Sequence, residues 1–383
     1  MLHDVDMGLP AHARNGELTN DGARAITRTM QQPKPSLQPA PLPQLRFPYP
    51  APPAPGSTIE VAPGILWVRL ALPFLLDHVN IYFVEDGAGW TLIDTGLGNK
   101  ATQEAWQAMF DGLLRERPLS RIIATHFHPD HVGAAGFLLR RFDVPLYMSA
   151  TEYLQSLNIH LDPGALEAEH YRRFYLDHGL DAETTGRVVT SGHSYLKRTT
   201  GLPPTYHRLL AGDVLRIGSR EFEVLTGGGH SPEQVMLLCR PEKLFLAADQ
   251  VLAKISPNVS VAAVDPEGNP LGHYLRSLTA LRGEVAEDVL VLAGHNLPFY
   301  GLHARIDELI VHHHARCDLI LRACRTAPRS AAELIPFVFT RLLDPHQTGF
   351  AFSEVLAHVN YMLRQGMLWP VASADGIRRV AAA

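Results

Sequence analysis

Thr125-His126-Phe127-His128-Pro129-Asp130-His131-Val132-Gly133 puts three imidazoles and a carboxylate within six positions, after a β-type run and before a helical one. Side-chain direction in an extended chain repeats every two residues, so His126 and His128 point the same way. Pro129 breaks the strand, and the turn can bring Asp130 and His131 round to a neighbouring point. One loop can therefore begin two adjacent cation sites. Nitrogen and carboxylate donors suit Zn²⁺, Mn²⁺ or Fe²⁺, with Zn²⁺ favoured for a hydrolytic role.

Outward from this segment, short β-rich runs alternate with turns and a few helices. Ile65–Leu70, Val79–Val84, Trp90–Ile93 and Arg121–Thr125 are expected strands, followed by a helix over Val132–Phe142 and a strand over Pro145–Met148. Ala101–Arg117 is an expected helix, ended by Pro118. Phe222–Leu225, Val235–Cys239, Leu244–Leu246 and Val289–Leu292 continue the strand series. Paired strands with helices between them predict an α+β fold of two sheets with helices packed outside. Three more metal-capable residues end such runs. His230 follows Gly227-Gly228-Gly229, Asp249 follows Leu244–Ala248, and His295 follows Val289–Gly294. One placement of this kind is commonplace; an ordered series of them is not.

Composition agrees. A hydrophobic fraction of 46% and a charged fraction of 19% over 383 residues exclude a wholly disordered or fibrous chain. A net charge of −5 implies no general polyanion-binding surface. Cys239, Cys317 and Cys324 make no disulfide framework, whereas 20 histidines turn attention to imidazole ligands. No apolar run reaches the ~18 residues that span a bilayer. Residues 1–55 are expected to form a disordered tail, since ten prolines fall in Pro33–Pro55. With no secretory h-region in Met1–Gln32, a cytoplasmic protein is expected. Residues 56–325 would form the main domain, with a helical insertion over 150–208 acting as a lid or cap. Residues 326–383 would form a small C-terminal module with helices over Ala331–Leu343 and Phe352–Gln365 and a β wing. His312, His313 and His314 point in three directions on one helix, so they are expected on a solvated or packed face.

The series His-x-His-x-Asp-His, then His230, Asp249 and His295, resembles the metallo-β-lactamase superfamily. The resemblance implies an αββα four-layer sandwich and two divalent metal ions. His126, His128 and His230 would hold one ion, and Asp130, His131 and His295 the other, with Asp249 bridging. Asp94, in Leu92-Ile93-Asp94-Thr95-Gly96, would buttress the site from behind. Residues 353–366 resemble the last helix of the branch with a C-terminal winged-helix-like domain. His131 stands where some true β-lactamases carry Arg, and Cys239 is at no ligand position, so antibiotic hydrolysis is not indicated. His128 stands where flavodiiron relatives carry Glu, which excludes that branch.

Two such ions ~3.5–4 Å apart lower the pKa of a shared water toward ~7. Asp130 would orient the resulting hydroxide and accept a proton. The expected substrate is a small acyl compound: a thioester, as hydroxyacylglutathione hydrolase cleaves, or a related ester or lactone. Phosphodiester cleavage is the alternative, because the similar branch includes an endoribonuclease. A mononuclear-iron persulfide dioxygenase and a non-catalytic winged-helix regulator stand behind these two. Nucleic acid is not favoured, since Thr326–Ala383 holds five basic against four acidic residues. Homodimerisation or coverage of the active site are the other roles open to that module, and no membrane is expected.

Overall fold

The computed structural model describes residues 45–162, 164, 169–191 and 194–383. Most of the expected tail (residues 1–44) and Leu166–Ala168 at the start of an expected helix lie outside them.

Among the described residues, the first sheet has seven strands in chain order. They are β1 (Ile59–Ala62), β2 (Ile65–Ala71), β3 (His78–Asp86), β4 (Gly89–Ile93), β5 (Leu119–Ile123), β6 (Leu146–Met148) and β7 (His207–Arg208). Pairing is antiparallel as far as β4 and parallel from there to β7. The second sheet contains β8 (Val214–Ile217), β9 (Arg220–Gly227), β10 (Gln234–Cys239), β11 (Leu244–Ala248) and β12 (Leu290–Ala293). It is ordered β12-β11-β10-β9-β8, with β11 and β12 parallel.

Alternation along the strands builds the layers. Ile65, Trp67, Tyr82 and Val84 face Val235, Leu237, Leu244 and Leu246 across the gap between the sheets. The intervening Val68, Leu70, Ile81 and Phe83 face the other way, onto Trp106, Phe110 and Leu138 of the first helical layer. Met236, Leu238, Phe245 and Val291 likewise turn outward, onto Tyr274, Ile306, Ile320 and Phe352. The period-two pattern thus feeds three apolar layers at once. This is the αββα arrangement expected from the sequence.

Local signals account for several differences. The expected helix over Ala101–Arg117 is split at Gly112 into Lys100–Asp111 and Leu113–Glu116. The helix Pro270–Glu284 was not expected: its start is set by Asn269, which accepts from Gly272 N, and by Pro270 at the first position. Gly272 and Gly283 dilute its periodicity. The tail boundary at residue 55 is too late. Arg46 pairs with Tyr300 through the backbone, and the Tyr49 hydroxyl donates to Val61 O at 3.0 Å. Aromatic anchors in a proline-rich stretch can dock without regular structure, which is why composition alone misplaced the edge.

The C-terminal helices Leu302–Thr326, Ala331–Val338 and Pro345–Arg364 precede an antiparallel hairpin of β13 (Leu368–Val371) and β14 (Arg379–Ala382). Leu334, Phe352 and Leu356 share one core with Met236 and Val291 of the second sheet. A domain boundary at 326 therefore cuts through a continuous core, because Ile320 and Cys324 at the end of the long helix pack inside it. Among the described residues, no helix is long and apolar enough to cross a membrane.

Candidate metal centre

All seven expected ligand residues meet in one place, each just beyond the C-terminal end of a strand or, for Asp130 and His131, in the short helix Pro129–Val132 that follows it. His126, His128 and His230 converge through single nitrogens. His126 Nε2 to His128 Nδ1 is 3.0 Å, and His128 Nδ1 to His230 Nε2 is 3.0 Å. Tetrahedral nitrogen ligands at ~2.0–2.1 Å from a zinc ion would stand ~3.3 Å apart, so little adjustment separates this triad from a coordination face. Asp130, His131 and His295 form a second group. Asp130 Oδ2 lies 3.4 Å from His295 Nε2 and 3.7 Å from His131 Nε2. Asp249 Oδ2 stands between the two groups, 3.4 Å from His230 Nε2, 3.5 Å from His131 Nε2 and 3.1 Å from His295 Nε2. One carboxylate oxygen is thus shared between both cradles.

The far nitrogen of four rings is fixed by a protein acceptor, leaving Nε2 to face inward. His131 Nδ1 is 2.8 Å from Asp94 Oδ2, and His126 Nδ1 is 2.9 Å from Thr125 Oγ1. His230 Nδ1 donates to Asn258 O at 2.8 Å, and His295 Nδ1 to His78 O at 2.7 Å. Asp94 also accepts from Thr125 N and Thr125 Oγ1 at 2.8 and 2.9 Å, so it braces both ends of the segment that carries His126, His128, Asp130 and His131.

The backbone is bent to reach this geometry. Asp94 (φ 61°), Ala248 (φ 45°) and Asn296 (φ 67°) occupy the left-handed region although none is glycine, and each is at or beside a site residue. At Gly294 a Cβ would collide with Asp249 Oδ1 and the His131 ring, so that position requires glycine.

Burial and the neighbouring charges pull these groups in opposite directions. Burial, reinforced by the neighbouring imidazoles, holds His126 and His128 well below the ordinary histidine range. Burial opposes charge on His131 too, but Asp249, Asp130 and Asp94 outweigh it and hold its pKa well above that range. At Asp249 burial is outweighed by His295 and His131, which hold the carboxyl well below its usual range. Even so, His131 Nε2 and Asp249 Oδ1 are buried with no hydrogen-bond partner. Orphaned buried groups of this kind are costly, and divalent cations would satisfy them. The donor set fits two such ions.

Other contributors left no trace in the sequence pattern. Glu152 is fully buried, accepts from Phe127 N at 2.9 Å and from Glu233 N at 2.6 Å, and so joins the first ligand loop to the His230 loop. Tyr195, in the insertion, donates to Phe127 O at 2.7 Å. Gly98 N donates to Arg198 O at 2.6 Å and Thr200 N to Gly133 O at 2.7 Å, which seats the insertion against the loops after Asp94 and His131. Their partners are backbone atoms, so no residue spacing announces them.

His313 lies elsewhere. It is fully buried, 3.2 Å from His358 through its Nδ1, beside Glu354, which pairs with Arg316. His313 therefore lies on the packed side of the long helix.

Comparison with known proteins agrees with this geometry. Residues 75–295 match the model described as "Metallo-beta-lactamase superfamily", and residues 317–383 match "Metallo-beta-lactamase-like, C-terminal domain". A β-lactamase domain protein from Burkholderia ambifaria superposes with a TM-score of 0.82 at 38% identity, covering 88% of this chain and 98% of that one. The probable metallo-hydrolase YflN of Bacillus subtilis is 33% identical over 66% of this chain and 91% of its own length. Hydroxyacylglutathione hydrolase of Halorhodospira halophila is 29% identical over 51% and 70%, respectively. Acyl-coenzyme A thioesterase MBLAC2 of Bos taurus is 27% identical over 49% and 63%. The chain spans 66% of an uncharacterized Aquifex aeolicus relative and 64% of the probable metallo-hydrolase YybB of Bacillus subtilis. With a family model covering more than half of its residues and the ligand loops assembled in one cleft, this chain belongs to the metallo-β-lactamase superfamily.

Proposed function

We propose that this protein is a hydrolase working with two divalent cations, zinc being the first choice, and that it cleaves a thioester or a related ester or lactone. The observation that carries the proposal is the shared Asp249 Oδ2 between two donor groups, with His131 Nε2 and Asp249 Oδ1 left orphaned. His126, His128 and His230 would hold one cation, and Asp130, His131 and His295 the other, with Asp249 between them. Such cations supply Lewis acidity, making water nucleophilic near neutral pH and polarising the bond under attack.

The chain's own residues do the rest. Asp94, Thr125 and the carbonyls of Asn258 and His78 fix ring orientation before substrate arrives. Asp130 is the more accessible carboxylate, its side chain 20% exposed against 7% for Asp249. It is therefore the group suited to orient water and carry a proton out to solvent. Tyr195 and Glu152 hold the Phe127 peptide from both sides, keeping the first loop rigid. The thioester is supported by two relatives, hydroxyacylglutathione hydrolase and acyl-coenzyme A thioesterase, whose names state that chemistry.

The test is elemental analysis of native protein followed by turnover of thioesters, lactones, phosphodiesters and persulfides. Two zinc-type ions per chain with thioester cleavage is the expected result. A single iron with oxygen uptake, or turnover confined to phosphodiesters, would overturn it.

A further inference from the structure

A groove of about 550 Å³ runs beside the metal centre, between the β2–β3 loop and the C-terminal helices. That volume lies within the range of roughly 300–1,000 Å³ found for small-molecule sites. Phe74 and Leu75 form one wall, Phe339, Leu343 and Phe350 the other, and Asn258 lies between them.

The groove adjoins the backbone that supports the candidate ligands. Asn258 contributes the carbonyl that holds His230, and the loop bearing Phe74 and Leu75 runs into His78, whose carbonyl holds His295. The groove therefore reaches one of these supports, Asn258, directly, and its Phe74–Leu75 wall belongs to the loop that leads to the other. Arg198 lies over the Phe74 ring at 4.5 Å and anchors that wall to the insertion. Val261 N donates to Ser353 O, which ties the Asn258 segment to the opposite helix.

Leu75, on one wall of the groove, is 83% exposed, and exposed apolar surface in a concavity marks a binding site. Charge argues for an apolar guest. The charged residues lining the groove are Arg341, Asp344 and Glu354, with no excess of positive charge to meet a phosphate backbone. Glu354 is in any case already paired with Arg316.

We propose that this groove binds the apolar acyl chain of the substrate, placing the chain end away from the metal centre and the bond to be cleaved beside His230. The proposal rests on the thioesterase reading above. It makes the C-terminal helices part of the active site and selects medium or long acyl groups over acetyl.

The experiment uses the full-length, metal-loaded protein with acetyl-, hexanoyl- and decanoyl-coenzyme A, and with the uncleavable S-ethyl and S-decyl thioethers of coenzyme A. Wild type should turn over decanoyl-coenzyme A with at least ~10-fold higher kcat/KM than the acetyl compound, and calorimetry should find the S-decyl probe bound correspondingly tighter than S-ethyl. Leu75→Asp, at a solvent-exposed position, should collapse both ratios, and Leu75→Met should restore them. If no thioester is cleaved but S-decyl binding persists and Leu75→Asp weakens it, the groove stands and the thioesterase reading falls. Cleavage with no chain-length preference and equal binding of both thioethers would overturn the groove while sparing the thioesterase. A dimer that Leu75→Asp dissociates would assign the groove to a second copy, and would also overturn it.

Discussion

Two buried histidine clusters in this chain look alike by distance and differ in charge. In the strand-end cluster and in the His313–Glu354–His358 cluster, ligand-type atoms lie within 4.8 Å of one another. At the strand ends, four rings have their outer nitrogens tied to protein acceptors, and the carboxylates of Asp130 and Asp249 face inward with only histidines as ion-pair partners among the described residues. In the helical cluster the carboxylate of Glu354 is already neutralised by Arg316. There His313 turns its Nδ1 to His358 Nε2, and His358 Nδ1 donates to Glu354 O. Convergence of donor atoms is therefore insufficient. A cation seat also needs inward negative charge that nothing else has answered.

The largest effect should come from His128→Ala, which removes a ligand nitrogen. Turnover should vanish and elemental analysis should show loss of one ion; unchanged metal content would break the contrast outright. Asp94→Ala should leave the ligands in place but free the His131 ring, lowering metal affinity or activity by ~10–100-fold in a metal titration. Arg316→Ala attacks the other cluster. It strands Glu354 and should cost about 3–5 kcal/mol in denaturant unfolding, with metal content per folded chain preserved.

A smaller effect is expected with acid. Burial pushes His313 to about 2 and His358 to about 3 in the folded protein. The unfolded chain takes up those protons below ~6.5, so this part of the stability is present above that pH and lost as pH falls from there toward about 3. The slope should reach ~1.4 kcal/mol per pH unit for each imidazole. Unfolding measured against pH for wild type and His358→Gln should diverge below ~6.5; parallel curves would show that His358 titrates normally. His313→Ala is a test of packing, with unfolding as its measure and metal content expected to stay the same.

The proposed ligand set was legible because metal chemistry demands particular side chains at the ends of apolar runs, and such runs are visible without coordinates. His126, His128, Asp130 and His131 share one loop, so their proximity follows from local geometry alone. The two sheets were legible for the same reason, through alternation of apolar residues. Glu152, Tyr195 and the carbonyls of His78 and Asn258 were not, because in each contact one partner is a backbone atom and nothing in residue identity marks it. The docked aromatic anchor Tyr49 was hidden by the prolines around it, and the shared core of the C-terminal helices by the punctuation after residue 326. The burial of His313 depended on which side of a long helix met Phe352 and its neighbours, a tertiary fact.

The left-handed kink at Ala248 carries a last consequence. A methyl group there is held in a conformation that glycine enters freely, and it fixes the direction in which the next side chain, Asp249, leaves the strand. Ala248→Gly would relieve about 1 kcal/mol of strain, while the looser hinge lets the bridging carboxylate wander. Heat resistance and catalytic speed would then respond in opposite directions to a single lost carbon, and selection for one would erode the other.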